Sequence, residues 1–202
     1  MQVAIVTLEA FNELDSFVAS AIVNRAPGVQ AAICCPSDCV TSMNGVRVVA
    51  QAPLEAVAEA DAVLIGSGRR TRDYLEDASF LSRIKLDSSR QLIGAQCSGV
   101  LLLHRLGLIG TAATSDTTST PLLQEWGVCV TGAPLHVEGN VATAGGCLSS
   151  QYLASWMLAR MCGWQTAARI VRDVAPVGHQ EEYVQRTSDL VKPTLLPIGP
   201  SS

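Results

Sequence analysis

The sequence predicts an α/β fold, a mostly parallel central sheet with helices packed on both faces. Short, wholly apolar runs such as Val3-Ala4-Ile5-Val6 and Ala62-Val63-Leu64-Ile65 suit strands buried on both sides. Helix-like segments alternate with these runs along the chain. Hydrophobic residues make up 48% of the chain and charged residues only 16%, enough apolar surface to cover both sheet faces and too much for a disordered chain.

The elements follow in order. Residues 2–7 read as the first strand, and a carboxylate-bearing segment, Phe11-Asn12-Glu13-Leu14-Asp15, leads into a helical pattern through Val23. Residues 29–35 read as the second strand. Residues 40–49 carry Asn44-Gly45 at their middle, a strong hairpin signal. A short helix is expected over 53–60, a buried strand over 62–65 and a polar helix over 71–88. The next strand, 91–95, runs into an apolar helix over 100–106 that Gly107 stops. A short strand at 111–114 and a helix at 121–126 follow. Residues 135–138 and 141–144 pair across Gly139-Asn140. A strongly apolar helix covers 149–161, and 164–171 is expected to be the last regular helix. The polar tail beyond Pro176, with Pro193, Pro197 and Pro200, is expected to be loosely held or to pack on a partner subunit.

With 202 residues the chain suits one domain, expected over 1–175 with a tail at 176–202, and it can bury a core without disulfides or metal. No internal repeat or low-complexity segment is present. The net charge of −4 and the lack of a basic run point away from nucleic acid. No apolar stretch reaches the roughly 18 residues of a membrane span, and the N-terminus lacks the basic start and cleavage site of a signal peptide. The seven cysteines are odd in number and several fall in apolar runs, so the expectation is a cytoplasmic protein with mostly buried, reduced thiols. Cys34, Cys35 and Cys39 cluster at a strand end; a structural role is expected there, with zinc or redox chemistry as the alternative.

The strongest chemical signal is Leu92-Ile93-Gly94-Ala95-Gln96-Cys97-Ser98-Gly99-Val100-Leu101. A buried strand that turns sharply into a helix presents its turn residue at the carboxyl edge of the sheet, where open α/β sheets bind ligands. A thiol at a helix N-terminus is expected to have a lowered pKa and to be reactive. The alternative is one more inert buried cysteine. A second signal is Gly66-Ser67-Gly68 after the strand at 62–65. A parallel sheet can bring this loop beside Cys97, where the backbone N–H groups of Gly68 and Ser98 would form an oxyanion hole; otherwise it is only a glycine-rich turn. The third is Glu13-Leu14-Asp15, which offers an acid/base carboxylate at the same edge, or simply a helix N-terminal cap.

Together these features resemble the DJ-1/PfpI (ThiJ/PfpI) superfamily over residues from about 3 to 164. Supporting pieces are Val40-Thr41-Ser42-Met43-Asn44-Gly45-Val46 and Gly139-Asn140-Val141-Ala142-Thr143-Ala144-Gly145-Gly146. The resemblance implies a flavodoxin-like three-layer sandwich, like that of class I glutamine amidotransferases, and a homodimer. It implies that Cys97 is the elbow cysteine, Asp15 its acidic partner, and Gly68 and Ser98 the oxyanion-hole amides. Glu13, Ser115, Gly66 and Gly99 are expected around the pocket.

Two positions depart from much of that family. Ser98 stands where many members carry His, which is closer to the isonitrile hydratase-like branch, and Ser115 stands where many carry a second His. Without it a Cys-His dyad, and with it peptide hydrolysis, lose support. His136-Val137-Glu138 lies too near Cys97 in sequence for an amidotransferase triad and reads as an exposed strand histidine. His104 and His179 have no metal-ligand spacing, so no metal or cofactor is expected. The expected function is a cysteine-dependent hydratase or hydrolase acting through a Cys97 thiolate on a small electrophilic substrate. A glyoxalase- or amidase-type activity, or a redox-sensing or stress-protective DJ-1-like role, is the alternative.

Overall fold

The structure, a computed structural model, describes residues 1–195. Strand β1 (Gln2–Val6) is followed by a wide π-type turn over Leu14–Val18 and by α1 (Ala19–Val23). Next come β2 (Gln30–Cys35), the hairpin of β3 (Cys39–Thr41) and β4 (Arg47–Val49), and the two-residue β5 (Ala52–Pro53). β6 (Ala62–Ile65), α2 (Ala78–Arg83), β7 (Leu92–Gln96) and α3 (Gly99–Arg105) form the middle of the chain. Then follow β8 (Ala112–Ala113), α4 (Thr120–Glu125), β9 (Cys129–Val130), β10 (Leu135–Glu138) and β11 (Val141–Ala144). Three helices close the described chain: α5 (Ser150–Cys162), α6 (Trp164–Val174) and α7 (Gln180–Val191).

Seven strands form one sheet in the order β10-β11-β7-β6-β1-β2-β5. All neighbours pair in parallel except β10 and β11, whose antiparallel register is Leu135↔Ala144 to Glu138↔Val141. Side chains alternate across a strand, and this sheet buries both sets. Val3 and Ile5 of β1, with Ala62 and Leu64 of β6, face Ile22, Leu153, Trp156 and Ile170. Ala4, Val6, Val63 and Ile65 face Phe80, Leu101 and Leu123 on the other side. The result is the expected three-layer, flavodoxin-like α/β sandwich.

Several sequence expectations are corrected. The polar stretch 71–88 is not one helix. A 3₁₀ turn at Thr71–Tyr74 stops, and Asp77 restarts the chain as the N-cap of α2 by accepting the Phe80 N–H at 2.9 Å. Asp87 then folds a turn by accepting the Ser89 N–H, also at 2.9 Å. Short acidic side chains compete here with helical hydrogen bonding. Only Leu54–Ala58 of the expected 53–60 helix is helical, as a 3₁₀ turn, because Ala52 and Pro53 pair with the end of β2.

The tail is the larger correction. Residues 164–171 are not the last regular helix: α6 continues to Val174, and α7 folds back on the body and buries Thr187 and Val191. Arg172 pairs with Glu181 at 2.7 Å, and the Lys192 ammonium lies 5.2 Å above the Trp164 ring. Pro193 sits in a final 3₁₀ turn, Lys192–Leu195, whereas Pro197 and Pro200 lie outside the described residues.

Candidate functional site

Parallel pairing decides where the site forms. β1, β6, β7 and β11 are adjacent, and their registers bring Val6, Ile65, Ala95 and Thr143 to a common level near the carboxyl edge. The chain leaving each strand supplies one piece of the site: Asp15 after β1, Ser67 and Gly68 after β6, Cys97 after β7, and Gly145, Gly146 and Cys147 after β11.

Cys97 occupies the left-handed region, with φ at 50°. A side chain there costs about 1–3 kcal/mol and persists only where surroundings hold it. Its N–H donates to the Ala144 carbonyl at 3.0 Å, and its carbonyl accepts the Ser115 hydroxyl at 2.8 Å. Gly99 permits the turn, since a Cβ there would stand 2.7 Å from the carbonyl oxygens of both Ile65 and Gly66. Gly68 is equally confined, because its Cβ would lie 2.6 Å from the Ala10 carbonyl oxygen.

The structure brings Cys97, Asp15, Gly68 and Ser98 together. The Cys97 sulfur and a carboxylate oxygen of Asp15 lie within 4.8 Å of each other, and each lies within the same distance of the Cys147 sulfur. Asp15 is 3% exposed. Its Oδ2 accepts the Ser67 N–H at 3.2 Å, and its Oδ1 has no partner among the described residues. Burial pushes this carboxyl up to about 6, against the lowering effect of the Ser67 hydrogen bonds. Ser98 Oγ accepts the Gly68 N–H at 3.3 Å and lies 3.0 Å from Thr71 Oγ1.

The expected lowering of the Cys97 pKa is corrected. Burial pushes this thiol well above its ordinary value, the Asp15 carboxylate adds to the rise, and the Gly146 N–H aimed at the sulfur only partly offsets it. The helix behind the thiol is seven residues long, too short for its dipole to offset desolvation of a group 4% exposed.

A cavity of about 560 Å³ opens on Cys97, Ser67, Gly68 and Ser98, and Asp15 is not on its wall. Its walls include Asn12, Met43, Arg69, Arg72, Asp116 and Cys147, none of which the sequence predicts at the site. Asp116 had a legible signal, an Asp-Thr-Thr-Ser run. Its carboxylate accepts the Thr118 and Ser119 N–H groups at 2.8 and 2.9 Å, and although burial would raise its pKa, these bonds hold it below the ordinary value. Cys147 had no local signal beyond the two glycines before it.

Four residues expected around the pocket do not line this cavity. Glu13 turns to the hairpin, where it accepts the Ser42 hydroxyl and, at 2.9 Å, the Asn44 side-chain amide. Gly66 and Gly99 form the close backbone contact beneath the elbow. Ser115 braces the Cys97 carbonyl and lines a neighbouring groove of about 630 Å³. His136 is half-buried and lies 3.2 Å from Glu138 on β10, and His104 stacks on Trp126. All seven cysteines are free thiols. No helix among the described residues is long and apolar enough to cross a membrane.

Residues 1–160 match the DJ-1/PfpI family. No curated protein matches the sequence. Among solved structures, Schizosaccharomyces pombe DJ-1 superposes with a TM-score of 0.76 at 14% identity, covering 87% of this chain and 100% of its own. A ThiJ/PfpI family protein from Pseudomonas syringae gives 0.77 at 21% identity, covering 95% of this chain and 87% of its own. The oxidised form of Toxoplasma gondii DJ-1 gives 0.74 at 19% identity, covering 86% and 97%. At these identities the likeness is one of fold.

Proposed function

The chain belongs to the DJ-1/PfpI family, and on that premise we propose that it is a cysteine-dependent enzyme acting on a small electrophilic substrate. Hydration of an isonitrile to an N-formamide is the reaction its residues fit best. One observation carries the reading: a strained, buried thiol lines a cavity of about 560 Å³ and has the buried Asp15 carboxylate within 4.8 Å.

A thiol whose pKa is raised by burial is a poor standing thiolate, so the nucleophile is made during attack. Asp15, with a pKa of about 6, is ionised at neutral pH and accepts the thiol proton as the sulfur approaches carbon, when bond formation drives the transfer. On an isonitrile, the sulfur bonds to the terminal carbon and Asp15 returns the proton to that carbon, leaving a thioimidate. Water adds to the same carbon, one water proton passes to nitrogen, and the carbon–sulfur bond breaks. The products are the N-formamide and the thiol, so no external reductant or oxidant is consumed. The N–H groups of Gly68 and Ser98 serve the oxygen that becomes negative after water addition. In the resting protein the Ser98 hydroxyl occupies the Gly68 N–H, and substrate oxygen would displace it. Arg69 and Arg72 on the cavity wall favour a substrate with an anionic group away from the reacting carbon.

The homodimer that the family resemblance implies remains part of this proposal. Leu14 and Leu148, 44% and 70% exposed, sit on packed turns beside the site and offer apolar surface for it. A monomeric mass in solution would refute that part.

The test is turnover of a panel of isonitriles, methylglyoxal and simple amides by the wild type and by Cys97→Ser. Formamide production that falls at least about a thousandfold in the variant is expected. Turnover retained by Cys97→Ser would sink the cysteine mechanism, and turnover of methylglyoxal or amides in place of isonitriles would move the substrate class.

A further inference from the structure

Asp15, Cys97 and Cys147 bring together two sulfurs and a carboxylate oxygen, all within 4.8 Å of one another. The three residues are 82 and 50 positions apart in the chain, so no ligand-spacing motif announces them. We propose that they form a binding site for a divalent cation of the zinc class, open to the cavity at its fourth position.

The donor chemistry suits that ion. Zinc accepts mixed sulfur and carboxylate ligands, and sites with three protein ligands keep one position for water or another small molecule. With Zn–S bonds near 2.3 Å, two sulfurs on a tetrahedral ion stand roughly 3.8 Å apart. From a separation of at most 4.8 Å, the ligands need to close by about 1 Å or less. A Cys97–Cys147 disulfide would instead need the sulfurs at about 2.05 Å, a far larger closure for a side chain fixed on the strained turn.

The surroundings supply the second observation. Asp15 is 3% exposed, and among the described residues its Oδ1 has no hydrogen-bond partner. No Lys, Arg or His forms an ion pair with it among the described residues. A buried carboxylate oxygen without a donor or counter-ion lacks the compensation such groups normally have, and a cation supplies it. Each ligand is also oriented by one N–H donor. Ser67 N–H holds Asp15 Oδ2 at 3.2 Å, Asn12 Nδ2 donates to the Cys147 sulfur at 2.9 Å, and the Gly146 N–H is aimed at the Cys97 sulfur. Orienting donors of this kind are what metal-ligating side chains usually require.

Binding converts two thiols and one carboxylate into two metal thiolates and a metal carboxylate, and it releases two protons to solvent. The metal then occupies the sulfur that the catalytic proposal uses as nucleophile. Inhibition of turnover by zinc therefore rests on that proposal, whereas the binding itself does not.

The experiment titrates the reduced, metal-free protein with Co²⁺ and follows thiolate-to-cobalt charge transfer, then displaces Co²⁺ with Zn²⁺. One equivalent with a two-thiolate signature is expected, together with protection of Cys97 from alkylation. Cys147→Ser should weaken binding at least about a hundredfold, and Asn12→Ala about 10- to 100-fold, the usual effect of losing an orienting partner. Cys39→Ser, at the separate cysteine cluster, should change nothing. Charge transfer that survives Cys147→Ser, or is lost in Cys39→Ser, overturns the proposal. So does a reduced protein that binds no Co²⁺ yet forms a Cys97–Cys147 disulfide on oxidation. Turnover without cobalt binding would sink the metal site alone, and cobalt binding without turnover would sink the enzyme reading alone.

Discussion

Two strands of the sheet lead to buried thiols, Cys34 within β2 and Cys97 just past β7, and only the second lies beside a carboxylate and a cavity. Cys34 is 1% exposed in regular strand geometry, and its sulfur faces the Ala32 carbonyl at 3.6 Å. Burial pushes it up to about 11, and no carboxylate raises it further. Cys97 is almost as buried but sits at positive φ, beside Asp15 and Cys147 and against a cavity. Burial alone therefore makes a thiol inert. On the proposed mechanism, reactivity at Cys97 rests on Asp15 as the base that takes its proton, and on a turn that holds the sulfur where the chain would not put it unaided.

The sharpest way to break this contrast is to remove the base. Asp15→Asn is expected to lower kcat/KM about 10²- to 10⁴-fold, the usual scale for a general base. Cys34→Ser should leave kcat/KM within about twofold, as expected of a residue remote from the chemistry. Equal losses in the two variants would erase the distinction. In the wild type, kcat/KM should fall as pH drops through about 6, because only the ionised carboxylate accepts a proton.

Stability should move the opposite way. The folded-state pKa of Asp15 is raised from 3.8 to about 6, so its burial costs nothing below pH 3.8 and the full amount above 6. A rise of about two units corresponds to about 3 kcal/mol. Asp15→Asn should thus stabilise the protein by about 1–3 kcal/mol at pH 7–8, and the gain should vanish below pH 4. Denaturant unfolding at both pH values measures this, and a variant less stable than wild type at pH 8 would contradict the burial argument.

The turn can be probed separately. Gly99→Ala forces a Cβ to 2.7 Å from two backbone oxygens and is expected to cost about 1–3 kcal/mol and to displace the elbow. Gly127→Ala, at positive φ but with open space around it, should cost only about 1 kcal/mol. If Gly99→Ala were the milder of the two, close packing would not be what holds the elbow. The smallest effect is expected for Ser98→Ala. Removing the hydroxyl frees the Gly68 N–H, so kcat/KM should change by less than about tenfold, consistent with a single hydrogen bond. A larger loss would give the hydroxyl itself a catalytic role.

Much of this was legible in the sequence because it is local. Apolar runs announced β1, β6 and β7, Asn44-Gly45 announced the β3–β4 hairpin, and a strand running through Cys97, Ser98 and Gly99 into a helix marked the elbow. The helix α7 was not legible, since its mainly polar face gives little apolar period and its stability comes from packing.

The sequence by itself determined the fold class, which strands are buried and the identity of the residue at the strained turn, because period and turn chemistry act over a few neighbouring residues. Tertiary structure alone decided that Cys147 joins Asp15 and Cys97, that Glu13 turns away to the hairpin, and that the Cys97 pKa rises. Those outcomes depend on which segments meet at the sheet's carboxyl edge and how much water they exclude, and both are properties of contacts between residues far apart in the chain.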